Sequence, residues 1–412
     1  MAEAVVRLQK GLELLSSLPE GRQRQHQELE LRVALGQAQV ATKGFAAREV
    51  GEAFARSRVL VEQLDRPDDL LAVLNGQWVF HLMRAELSLA LSLAEQTEQI
   101  GEARNDPTVL FLGPYQRGVT HFYLGEFVTA RTLFERCQGR GGPALRAFMG
   151  APSAVIPGSL AQTLVYLGYV DQARAHANQA LTEARRLHHA HGVAQVLIQA
   201  CLVEWLTGSP HDVRRYAEEA VALSSEHGFP LFLDWGMILL GWSLSALGEA
   251  KDGVALLTKG LSAYRAMGGV LRAPWALILL TEAHRNLGRP SESLNCLIEA
   301  AQIIETTDQR YVQPELHRLR GDLLEATGDR VGAQQNYRLA LTIAARQSAK
   351  ISEVRAATSL TRLWLGQGKR EDARDLLAPI YNWFTEGSDT PVLKEARAVL
   401  EQIDRLSPAT RR

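Results

Sequence analysis

The chain has 412 residues, 46% hydrophobic and 22% charged, with a formal net charge of −1. That apolar fraction suffices for a packed core and excludes global disorder, while balanced charge gives no long-range pull on nucleic acid or anionic lipid. Three scattered cysteines, Cys137, Cys201 and Cys296, build neither a disulfide framework nor a CxxC metal knuckle.

The predicted elements follow a ruler. Gly125, Gly168, Gly208, Gly248, Gly288, Gly328 and Gly368 each end an apolar helical stretch, at spacings of 43 and then 40 five times over. Ala85 and Gly44 extend the series backward at 40 and 41. Small residues recur five positions after each anchor (Ala130, Ala173, Ala333, Ala373), apolar or aromatic ones nine after (Phe134, Leu257, Tyr337) and small ones twelve after (Ala180, Ala220, Ala340). Steps of four and three trace one helical face, and small residues there admit a close partner helix. Each unit reads as helix A, a tight turn at the anchor and helix B, glycine suiting the turn because it tolerates positive φ.

In chain order, residues 1–20 form an orphan helix B, since Ala4, Leu8 and Gly11 already stand at the five, nine and twelve positions. A chain that begins half-way through a repeat reads as a piece of something longer. Residues 21–137 hold repeats 1–3, and 138–154 form an irregular Gly/Pro-rich loop read as a connector or, with Phe148 and Met149, as a contact to ligand. Residues 155–387 hold repeats 4–9, and 388–408 form a capping helix opened by Thr390-Pro391. Within repeat 4, RLHHAHG (186–192) raises a metal site. Its offset from Gly168 matches SSEHGFP, RAMGGVL, ETTDQRY and ARQSAKI after the later anchors, which reads as a solvated junction, with imidazoles titrating between about pH 6 and 7. The cysteines fall on repeat positions and read as packing residues. The start of the chain lacks the pattern of a signal peptide, and 236–248 is too short to span a bilayer, so the expected location is the cytoplasm.

A small residue, a step of seven to glycine and the positions at five, nine and twelve resemble the tetratricopeptide (TPR) repeat, here at a period of 40 where 34 is usual. The expected fold is all-α: a right-handed superhelical solenoid of about nine helix-turn-helix units, each touching only its neighbours. HRLRGDLL, RAATSLTRLW and DARDLLAPIYNWFTEGSDTPVLKEARAVLE are similar to the C-terminal helical region of bacterial signal-transduction ATPase, class III adenylate cyclase and LuxR/MalT-like regulators. No GxxxxGK[ST] occurs, and GQGKRED lies in a repeat turn, so neither activity carries over.

The resemblance implies a concave groove lined by helix A. Its register selects Tyr115, Gln116, Phe122, Gln162, Gln195, Gln199, Trp205, Trp235, Trp242 and Trp275, then Glu282, Arg285, Glu315, Arg318, Asp322, Arg355 and Arg362. The tryptophans read either as binding surface or as core, and the charged set either as groove or as a ladder of ion pairs. The Lys/Asn set by which chaperone-binding TPRs clamp a terminal carboxylate is absent. The resulting expectation is a non-catalytic sensor or scaffold that binds a protein segment, a peptide or a small effector, with no metal or cofactor. Self-assembly through the N-terminal half-repeat is the alternative, and an enzyme on a helical scaffold the third reading.

Overall fold

The computed structural model describes residues 2–105, 108–138 and 152–406. Among them are twenty α-helices and no strand. They are α1 (Ala2–Ser16), α2 (Arg22–Lys43), α3 (Arg48–Leu64), α4 (Pro67–Met83), α5 (Leu87–Arg104), α6 (Val109–Leu124) and α7 (Phe127–Cys137). Next come α8 (Pro152–Tyr166), α9 (Val170–Arg186), α10 (Ala190–Thr207), α11 (Pro210–His227), α12 (Pro230–Ala246) and α13 (Ala250–Ala266). The last are α14 (Ala273–Asn286), α15 (Pro290–Thr307), α16 (Gln313–Ala326), α17 (Arg330–Arg346), α18 (Lys350–Leu365), α19 (Arg370–Asn382) and α20 (Pro391–Leu406). Helix α8 starts inside the stretch read as loop, and Phe148 and Met149 lie outside the described residues.

From α2 onward, even-numbered helices are inner and odd-numbered ones outer, and the sequence shows why. Outer helix α9 has one narrow apolar stripe, burying Val170, Ala173, Ala177, Ala180, Leu181 and Ala184. Inner helix α10 is mostly apolar, with apolar residues on every side, and buries nearly every residue from Gly192 to Thr207. A helix with one stripe belongs on the surface, and one without a polar face belongs between layers. The result is an all-α, TPR-like solenoid with a core running from Trp78 to Val399.

Two left-handed backbone positions per repeat set its curvature. The first is the anchor, with φ of 80° at Gly125, 91° at Gly168 and 98° at Gly248, and Ala85 bearing the same strain at 58°. The second falls about twenty residues later, where helix B hands over to the next helix A. Asp65, Asn105, His188, Gly228, Gly268, Asp308 and Ser348 occupy it. Most of these are not glycine, so a glycine count alone does not reveal this second series.

The expectation that repeats touch only their neighbours does not hold. The spiral is wound tightly enough that successive superhelical turns meet. The amides of Val270 and Leu271 both donate to Met83 O at 3.0 Å. Arg174 reaches Asp389 at 3.2 Å, Gln172 reaches Glu386 at 3.2 Å, and Trp383 and Lys350 pack over Gly168. A glycine-to-alanine pair isolates this contact. Gly248 has open space around it, so Gly248→Ala is expected to cost about 1 kcal/mol from backbone conformation alone. At Gly168 a Cβ would sit 2.7 Å from Trp383 and 2.8 Å from Lys350, so Gly168→Ala is expected to cost about 1–3 kcal/mol more. Equal losses in chemical denaturation would rule out an energetic role for the inter-turn packing.

Candidate binding cavities along the superhelix axis

Inner helices converge on the superhelix axis, where two cavities form. The first, about 230 Å³, is bounded by α4, α6, α8, α10 and α12 and closed by Arg272 from the segment before α14. Of the residues selected in the sequence it gathers Tyr115, Phe122, Gln162, Gln195, Gln199 and Trp235. The second, about 570 Å³, gathers Trp205, Trp242, Glu282, Arg285, Arg318, Asp322, Arg355 and Arg362, with Tyr337. Gln116, Trp275 and Glu315 line neither. Gln116 is buried and donates to Asn75 at 3.1 Å, and Trp275 is fully buried edge-to-face against Trp205 at 5.9 Å.

Helices in consecutive repeats bond to each other at equivalent or nearly equivalent positions. Gln199 donates to Ser159 Oγ at 3.2 Å across 40 residues, Trp78 to Thr120 Oγ1 at 3.3 Å, and Trp242 to Glu282 at 2.6 Å. The charged residues of the second cavity are joined both within α16 and between consecutive repeats. Arg318 pairs with Glu315 and with Asp322 at 2.8 Å, Arg355 with Glu315 at 2.9 Å, and Arg285 with Asp322 at 2.5 Å. Tyr337 donates to Asp322 at 2.8 Å and Glu325 at 2.9 Å, while Arg362 on the rim pairs with Glu395. Here ladder and cavity wall coincide: six of the seven selected charged residues line the cavity, and all seven are ion-paired.

The first cavity is built differently. Its wall is aromatic and aliphatic, and several polar atoms in it have no partner. These are Gln199 Oε1, Trp235 Nε1 and Arg272 Nη1. Arg272 Nε donates to the Tyr123 hydroxyl at 2.8 Å, its Nη2 reaches Gln162 Oε1 at 3.4 Å, and its guanidinium lies 4.4 Å over Trp235. Sequence reading missed this arginine. Its signal was present, as the lone charge in the apolar run VLRAPWALILL. Trp78, also in the wall, stands seven residues before Ala85, where other repeats carry small residues, and was missed because that register slot is otherwise a packing position.

RLHHAHG resolves into three separate jobs. His188 takes the left-handed junction position at φ 51°, and His189 Nδ1 caps α10 by accepting from the Gly192 amide at 3.0 Å. His191 stands edge-on to Phe232 at 4.8 Å in the wall of the first cavity. Burial, reinforced by His189, lowers the His191 pKa to about 4, so this imidazole is neutral between pH 6 and 7. Among the described residues no cluster of His, Cys, Asp and Glu is placed to hold a metal ion. All three cysteines are buried. Burial pushes the Cys201 thiol well up and the Cys296 thiol up to about 11, as befits small packing side chains. No helix among the described residues is long and apolar enough to cross a membrane.

Two acid-side effects follow, with different windows. A histidine whose folded pKa lies below its unfolded value near 6.5 contributes fully above that pH and loses stability as the pH falls toward 4. Replacing His191 with Gln is therefore expected to make the fall in melting temperature across that range shallower, the remainder coming from the partly buried His176, His284 and His317. Burial alone would raise the Glu315 pKa, but Arg318 and Arg355 outweigh it and hold the carboxylate well below its usual range. Its contribution is present above about pH 4.5 and is lost as the pH falls below that. Glu315→Gln should cost about 3 kcal/mol at neutral pH by leaving two arginines short of a partner. A denaturation midpoint indistinguishable from wild type would show that the ladder carries no net stability.

No protein-family model matches the chain, and no curated protein matches its sequence. Solved structures do. The chain is similar to a Rap protein complexed with competence and sporulation factor, at 13% identity and a TM-score of 0.54, over 92% of this chain and 98% of that one. It is likewise similar to the Rap conjugation gene regulator of the plasmid pLS20 in complex with a peptide, at 12% identity and a TM-score of 0.54, over 93% and 97%. A signal-transduction ATPase with a tetratricopeptide repeat sensor from Pyrococcus horikoshii aligns with a TM-score of 0.42 at 12% identity, over 87% of this chain and 55% of that one. At such identities the two Rap likenesses establish a TPR-like fold.

Proposed function

We propose that this chain is a non-catalytic TPR-like sensor or scaffold whose axial cavities take up a peptide, a segment of a partner protein or a small effector. The observation that carries the reading is the convergence of the inner helices on two cavities holding fourteen of the seventeen residues selected by repeat register. Binding in an interior built from consecutive repeats has a mechanical outlet. A ligand that parts or tightens the inner helices changes the contacts between superhelical turns, such as Met83 with Val270 and Arg174 with Asp389. The chain would then act as the regulatory arm of a bacterial signalling protein, biasing an attached ATPase, adenylate cyclase or transcriptional module. Both Rap structures were solved as peptide or factor complexes, which supports a peptide as the first ligand class to try.

Screening a peptide library by intrinsic tryptophan fluorescence tests this. Binders are expected to lose about tenfold in affinity on Trp242→Ala or Gln195→Ala, and nothing on Leu294→Ala at the exposed outer surface. Binding that is insensitive to both inner substitutions would move the site elsewhere.

A second reading, self-assembly, is favoured by the N-terminal helix. Helix α1 packs on α2 through Val5, Leu8, Leu12, Leu35 and Ala38, while Val6 and Leu14 are each 63% exposed. Light scattering should show a drop in mass for the chain lacking residues 1–20; an unchanged monomer in both forms excludes this reading.

A further inference from the structure

We infer that the first cavity is a carboxylate-recognition site, with Arg272 receiving the acid group of a ligand whose apolar body lies among Phe45, Trp78, Val119 and Phe232. The inference rests on the sensor reading and specifies the chemistry sensed. Arg272 is only 7% exposed, and it is the one charged residue among those lining this cavity. No carboxylate among the described residues lies within 4 Å of it, and its Nη1 is unpartnered. A desolvated guanidinium ordinarily carries a counter-charge, because an unpaired buried ion is strongly unfavourable. Arg318, equally buried in the second cavity, has Glu315 and Asp322. The lack of an acid in the first cavity wall leaves that role to a ligand.

The guanidinium is also held in place for such a ligand. Arg272 has a left-handed backbone at φ 65°, a strained state for a residue with a side chain. Its amide donates to Gln309 Oε1 at 2.7 Å, and Gln309 in turn donates to Val270 O and Thr307 Oγ1. With Nε and Nη2 committed to Tyr123 and Gln162 and the plane stacked on Trp235, one edge of the fork is fixed and Nη1 is left without a partner. Trp235 Nε1 offers a second unpaired donor, and Gln199 Oε1 an acceptor for an N–H near the acid. Preorganised donors of this kind lose little entropy on binding an anion.

The volume limits the ligand. At about 230 Å³, with a wall mostly of aromatic and aliphatic side chains, the cavity has room for a compact apolar or aromatic body. The shared chemistry is therefore a carboxylate on a compact apolar or aromatic group. It can come from a free acid or from the C-terminal residue of a peptide.

Four probes on the full chain separate these sources: 3-phenylpropionate, its amide, a pentapeptide ending in Phe with a free carboxylate, and the same peptide amidated. Tryptophan fluorescence and melting temperature provide the readouts. At least one acid is expected to bind about tenfold or more tightly than its own amide. That preference should vanish in Arg272→Met and survive in part in Arg272→Lys. Preference confined to the small acid identifies a free effector, and preference confined to the peptide identifies a chain terminus. Should Arg272→Met not fold, Trp235→Phe, which keeps the ring and loses one donor, is expected to weaken the acid several-fold. The inference is overturned if acid and amide bind alike in wild type, if neither acid binds at millimolar concentration, or if folded Arg272→Met keeps the preference. Peptides that still respond to Trp242→Ala in that event would leave the sensor reading standing.

Discussion

Everything in this fold depends on the angle at which one helix leaves another, and that angle is fixed by left-handed residues at the two bends of each repeat. A straight α-helix cannot continue through φ near +80°, so each bend is both a stop and a change of direction. Repeating the same two bends about every 40 residues keeps the change of direction constant. Constant turning yields a superhelix, and its inner helices must share an axis. The cavities, the charge ladder and the contacts between superhelical turns all follow from that shared axis.

The two cavities solve the problem of polar groups in a dry interior in opposite ways. In the second, arginines and carboxylates from α14, α16 and α18 interlock at one-repeat spacing, so burial is compensated within the protein. In the first, the polar atoms are few, the walls are apolar, and compensation stops short at Arg272. A satisfied network rigidifies a structure, whereas an unsatisfied group marks where something else belongs. The array therefore pairs a charged, internally compensated half with an apolar one.

The helix pairs and the inner face were legible in the sequence because both are periodic. Anchor glycines, small residues on helix B and polar or aromatic residues on helix A recur in register, so Gln199 and Trp242 could be placed without knowing what they touch. What depends on the pitch of the superhelix was not legible. A slight change in each repeat's rotation decides whether Trp383 meets Gly168 or faces solvent, and no local pattern encodes that sum. Arg272 escaped for the same reason. It lies outside the helix A register, and its importance comes from Tyr123, 149 residues away. The histidines of RLHHAHG show the converse: their junction was legible from the offset, but the turning of His191 into a cavity wall was not.

The meeting of successive turns also changes what kind of polymer this is. An open solenoid behaves as a one-dimensional chain of units, able to nucleate at any point and to fray from its ends. Bonds such as Arg355 to Leu206 O, 149 residues apart, and Arg174 to Asp389, 215 apart, tie early repeats to late ones. Those ties form only after a whole superhelical turn is in place, so the loop they close is long and its entropy must be met late in folding. Folding should accordingly be slower than for an open array of equal length, and unfolding more nearly all-or-none. The same coupling that makes the molecule slow to assemble lets an event at one end of the spiral register at the other.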